Sequence, residues 1–114
     1  MDYRMPTMIT TDVPSSVKVE ITVGHRKSDA EPHVLVSLTN TGAEAAKAQF
    51  TMMPSAGQEF HPCYLGITGT APFDWDQVAT GNPQHWGFVV TGIRPGQTAR
   101  IELGLRDLNV ASAA

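Results

Sequence analysis

The sequence predicts an all-β protein built as an antiparallel sandwich, and three observations carry that prediction. Two phrases far apart in the chain, Val34-Leu35-Val36-Ser37-Leu38-Thr39-Asn40-Thr41-Gly42 and Ile93-Arg94-Pro95-Gly96-Gln97-Thr98-Ala99-Arg100-Ile101-Glu102-Leu103, each join a two-residue apolar alternation to a tight turn. Val17 to Val23 repeats the same alternation with Lys18, Glu20 and Thr22 between the apolar positions. No segment carries a strong helical period, so the apolar residues are placed to cover sheet faces.

The elements follow in order. Residues 1–15 lack a period, and Pro6 and Pro14 bracket a Thr-rich stretch with Met5, Met8, Ile9 and Val13. Proline imposes extended geometry, so this is an extended N-terminal arm. It is either a frayed terminus or an assembly arm that docks through Tyr3, Met5, Met8 and Ile9. Val17, Val19, Ile21 and Val23 then face one side of a first strand. Residues 24–32 form a polar connection. Val34, Val36 and Leu38 continue the inward face, and Gly42 ends that strand in a turn. Residues 43–47 read as a short connection, because Ala48, Phe50 and Met52 alternate directly afterwards.

Pro54-Ser55-Ala56-Gly57 is a turn, and residues 60–67 hold an aromatic strand whose limits Pro62 and Gly66 obscure. Residues 68–85 are punctuated by Gly69, Pro72, Gly81 and Pro83 and read as a long loop, with a short turn or helix near Asp74 to Val78. Trp86 to Val90 resumes strand, with Trp86 filling space between the sheets. Pro95-Gly96 is a turn with proline presetting φ and glycine accepting the left-handed position. Ala99, Ile101, Leu103 and Leu105 complete the inward set. The result is about seven strands in two packed sheets, spanning residues 16–108, followed by a small apolar tail over residues 109–114.

Composition limits what such an object does. At 114 residues the chain is one domain, able to bury roughly two-thirds of its unfolded surface. The net charge is −3, and the 8 Lys and Arg residues are scattered. A nucleic-acid partner, which needs clustered cations, is therefore not expected. No apolar run approaches the roughly 20 residues that span a bilayer, so no membrane partner is expected. The start, Met1-Asp2-Tyr3-Arg4-Met5-Pro6, lacks the basic and apolar regions of a signal peptide. The expectation is synthesis in the cytoplasm without a leader.

The strand ending in Leu38-Thr39-Asn40-Thr41-Gly42, the apolar strand through Phe50, and Pro95-Gly96-Gln97-Thr98-Ala99 leading into Ile101 and Leu103 resemble bacterial immunoglobulin-like domains of the CARDB type. The resemblance covers about half of the chain and implies an immunoglobulin-like sandwich serving as an adhesive, spacer or decorating module. Two features depart from it. Residues 58–86 are longer and more aromatic than the pattern implies, and the family occurs as modules of secreted proteins. By architecture alone, a free-standing domain of this kind is similar to the small head-decoration proteins of tailed bacteriophages.

Chemistry is sparse. Zinc takes Cys and His ligands in close pairs, and among 4 histidines and 1 cysteine only His61 and Cys63 are close, with His85 as a third partner if the fold brings it near. No metal site or cofactor is predicted. Cys63 has no nucleophile signature around it, and Gly66-Ile67-Thr68-Gly69-Thr70 lacks the lysine and helix of a phosphate loop. No enzyme activity is expected. Phe73-Asp74-Trp75-Asp76-Gln77 is the most particular patch: aromatic faces beside carboxylates stack on sugar rings and accept their hydroxyls. Phe73, Asp74, Trp75, Asp76 and Tyr64 are thus the candidate ligand- or partner-binding residues. The alternative is that Phe73 and Trp75 plug the open end of the sandwich.

The function expected is that of a non-enzymatic structural protein, a capsid decoration or cement protein on the virion surface. Its partners would be capsid subunits or its own copies. The alternative is a carbohydrate-binding or adhesive module using the loop around Trp75 to hold a surface glycan.

Overall fold

The computed structural model describes residues 5–25 and 32–108, with the backbone alone for His25. Tyr3 of the predicted arm and the tail over residues 109–114 lie outside the described residues. Eight strands follow one another: β1 (Thr7–Asp12), β2 (Val17–His25), β3 (Pro32–Asn40), β4 (Ala46–Met53), β5 (Gln58–Gly69), β6 (Asp74–Val78), β7 (Trp86–Ile93) and β8 (Thr98–Asp107). They form two four-stranded sheets, β1-β4-β7-β6 and β2-β3-β8-β5, with every pair antiparallel. The protein is an antiparallel β-sandwich of two packed sheets, and the described residues contain no helix.

The alternation in the sequence becomes the core directly. Val34, Val36 and Leu38 from β3, Ala48, Phe50 and Met52 from β4, and Ala99, Ile101, Leu103 and Leu105 from β8 are all fully buried. The pairing matches apolar residue to apolar residue across neighbouring strands, with Val34 opposite Leu103, Val36 opposite Ile101 and Leu38 opposite Ala99. In the first sheet Phe50 lies opposite Phe88 with ring centroids 5.7 Å apart. Each such buried ring contributes about 1.5–3 kcal/mol by removing apolar surface from water. Phe60 of the second sheet and Trp86 of the first meet across the gap at 5.5 Å, so Trp86 fills space between the sheets as its position in sequence predicts.

Two strands arise where the sequence reading places none. Residues 7–12 of the arm pair with β4 as an edge strand, Met8 lying opposite the buried Met52. Met8 packs on the core, and that anchor holds the strand in place. Asp74 to Val78 is neither loop nor helix but the edge strand β6, paired with β7. Its five residues offer little periodicity of their own, and β7 supplies the template that extends them.

Turns end where glycine permits. The Arg94 carbonyl accepts from the Gln97 amide at 3.0 Å, with Gly96 at φ 76°. That is the Pro-Gly turn the sequence predicts, of the kind that places positive φ at its third residue.

Candidate functional site

Three places on the sandwich hold the residues that the sequence singles out. The first is the free edge of β1. Pro6 is buried and Met8 half-buried, which ties this part of the arm to the domain. Met5 and Ile9 stand 50% and 48% exposed. Strand alternation explains the division: Met8 and Thr10 lie opposite the buried Met52 and Phe50, whereas Ile9 lies opposite Thr51 on the outer face. Of the four predicted arm residues, Met8 belongs to the core margin, and Met5 and Ile9 to the surface.

The second place is an open groove of about 490 Å³ between the margins of the two sheets. Ile67, Gly69, Phe73 and Trp75 line it together with Thr68 and Thr70. Phe73 is half-buried and packs on the core. Its ring lies on Gly69, where a Cβ would come within 2.5 Å of Phe73 Cε1 and 3.0 Å of the Thr98 carbonyl oxygen. Glycine at 69 is thus what lets the ring approach the strand this closely. Trp75 lies opposite the inward-facing Val90 but at the sheet margin, and remains 41% exposed. Phe73 therefore packs on the core, and Trp75 lines the groove while much of its surface stays in solvent.

The carboxylates do not join this groove. Asp74 and Asp76 lie opposite Thr91 and Val89, so they alternate to the face away from Trp75. Tyr64 is absent from the groove as well. The five residues proposed as one binding patch divide among three surfaces, because a strand cannot point consecutive side chains the same way.

The third place is one that sequence reasoning missed. Between Phe60 and Leu65, residues 61–64 arch out of the β5–β8 ladder, with only Gly104 opposite them. The arch lies over the outer face of the second sheet. A Cβ on Gly104 would stand 3.1 Å from both His61 Cβ and Tyr64 Cβ, so this glycine supplies the clearance. Under the arch, Tyr64 Oη donates to Glu102 Oε2 at 2.7 Å, and His33 Nδ1 lies 3.2 Å from the same oxygen. The His33 and Tyr64 rings stack at 4.5 Å and 16°, and His33 is 7% exposed. One carboxylate thus gathers a phenol from β5 and an imidazole from β3, which pins the arch to the sheet. The signal in the sequence was Gly104, a glycine inside the alternating run Ala99, Ile101, Leu103 and Leu105, where close approach of another backbone is the usual reason.

Cys63 sits on the arch, exposed, with its amide donating to His61 Nδ1 at 3.1 Å. His85 lies in the turn before β7, beside Asn82. Among the described residues no three His, Cys, Asp or Glu side chains are grouped to hold a metal ion. No protein-family model, curated protein or solved structure matches the chain.

Proposed function

We propose that this protein is a non-enzymatic interaction module that joins a larger protein assembly, in the manner of a capsid-decoration protein, and that β1 is its attachment edge. The observation that supports this reading is the pair of large apolar side chains, Met5 and Ile9, half exposed beside an edge strand that carries no charge before Asp12. Apolar side chains held in place at a strand margin gain free energy only when something covers them. Co-sedimentation with phage capsids tests the role. Binding that Ile9→Asp abolishes, with the thermal unfolding midpoint unchanged, supports it. Failure to associate with any capsid or other assembly overturns it.

Trp75 favours a second reading. A part-exposed indole lining a groove that also carries Thr68 and Thr70 offers a surface for a neutral sugar ring to stack on. A glycan array separates the two readings: binding lost in Trp75→Ala assigns the groove, and binding that survives the substitution removes it from the site.

A further inference from the structure

The four edges of the sandwich are guarded unequally. A strand edge presents unpaired amides and carbonyls, and proteins blunt such edges with charges, proline or distortions of the ladder. The β2 edge carries Lys18 and Glu20, paired with each other at 3.2 Å and well exposed. The β5 edge is broken by the arch over residues 61–64, which includes Pro62. The β6 edge carries Asp74 and Asp76, both exposed. The β1 edge has none of these along Thr7-Met8-Ile9-Thr10-Thr11. Its one irregularity falls at the end, between Thr10 and Asp12.

We infer that β1 pairs antiparallel with β1 of a second copy of this chain, joining two first sheets into one continuous sheet across a two-fold axis. This rests on the reading of β1 as the attachment edge and names the partner that covers it. A strand uncharged from Thr7 to Thr11 selects a partner that is equally neutral and apolar there, since a charged partner strand would lose hydration with no counter-charge to meet. β1 run in the opposite direction is such a strand. With Ile9 opposite its own copy, Met8 faces Thr10 on either side of it, and the irregularity between Thr10 and Asp12 falls beyond this central stretch. Neither aspartate meets a like charge, and β-branched residues stand against one another, the pairing that stabilises antiparallel sheets. The Ile9 side chains, exposed on the outer face of the single domain, cover each other. The β6 edge lacks this self-match: centred on Asp76 it would place two carboxylates in contact. An isologous contact of this kind closes as a dimer and does not propagate.

The test is sedimentation velocity of the full chain across a concentration range, together with cysteine trapping in a Cys63→Ser background. The expected result is a concentration-dependent dimer. Ile9→Asp should weaken it about tenfold or more through like charges placed opposite each other, while circular dichroism and the unfolding midpoint stay those of the parent. Ile9→Cys should form a disulfide-linked dimer under mild oxidation, and Thr22→Cys on the β2 edge should not. A chain that remains monomeric at all concentrations overturns the inference, as does equal trapping at both edges. A monomer whose attachment to an assembly is still abolished by Ile9→Asp overturns the homotypic pairing and leaves the attachment edge standing. A dimer that associates with no assembly supports the pairing and removes the decorating role.

Discussion

Asn40 and Ile93 are tied by a buried hydrogen bond, with Asn40 Nδ2 donating to the Ile93 carbonyl at 2.8 Å. The same amide nitrogen donates to the Glu44 carbonyl at 2.7 Å, and Oδ1 accepts from the Gly42 amide at 2.9 Å. The main chain of Asn40 adds two bonds, its amide to the Gln97 carbonyl and its carbonyl from the Gly96 amide. One fully buried asparagine therefore joins the turn after β3 to the turn before β8. Asn40→Ala removes every side-chain partner at once and leaves buried groups unmet, so its cost is about 2–4 kcal/mol. Asn40→Asp costs more, because a carboxylate oxygen then faces two carbonyls. Urea unfolding with an unchanged slope and a lowered midpoint is the expected record.

Gly87 and Gly24 make a matched pair of strand glycines with opposite tolerances. A Cβ at Gly87 would lie 2.7 Å from the Val78 carbonyl oxygen and 2.8 Å from Val78 Cγ2, whereas at Gly24 nothing among the described residues lies within 4 Å. The obstruction at Gly87 includes backbone of the paired strand, which cannot rotate away. Gly87→Ala therefore destabilises by about 1–3 kcal/mol and loosens β6 from β7. Gly24→Ala is neutral or stabilises by a few tenths to about 1 kcal/mol through the unfolded chain. Thermal unfolding of the two variants beside the parent checks both signs.

The core strands were legible because each buries one face only, and a half-buried strand writes its orientation into every second residue. Val34, Ile101 and their neighbours show this. The ladder also explains the two distant phrases, which lie side by side with Thr39 Oγ1 and Thr98 Oγ1 2.9 Å apart. β1 and β6 were not legible, because an edge strand takes its register from its neighbour and needs little pattern of its own. The His33–Tyr64–Glu102 cluster was hidden for another reason. Its members are separated by 31 and 38 positions in the chain, and they meet only because the arch folds back over Gly104.

That arch gives a third prediction. Tyr64→Phe keeps the ring stacked on His33 and deletes only the donor to Glu102, so it costs about 1 kcal/mol at a carboxylate that solvent still reaches. Gly104→Ala pushes at His61 and Tyr64 together and displaces the arch as a unit. Hydrogen exchange should report both changes as faster exchange at His61, Cys63 and Tyr64, with the β3 and β8 amides around Val36 and Ile101 unaltered. Slowed or unchanged exchange across the arch in Gly104→Ala would show that the contact bears no load.

Phe73 and Trp75 separate structure from recognition in the groove. Phe73 is half-buried, lies on Gly69 and packs on the core, so Phe73→Ala opens a gap at the sandwich margin and costs about 2–3 kcal/mol, below the range for a fully buried ring. Trp75 keeps 41% of its surface in solvent and sits on an edge strand held by the β7 ladder. Trp75→Ala therefore costs less than about 1 kcal/mol. If the groove serves recognition, binding falls in Trp75→Ala at nearly parental stability, and calorimetric titration with the bound glycan shows the loss. If the groove is only a margin of the fold, Trp75→Ala leaves every association unchanged, and Phe73→Ala lowers the unfolding midpoint alone.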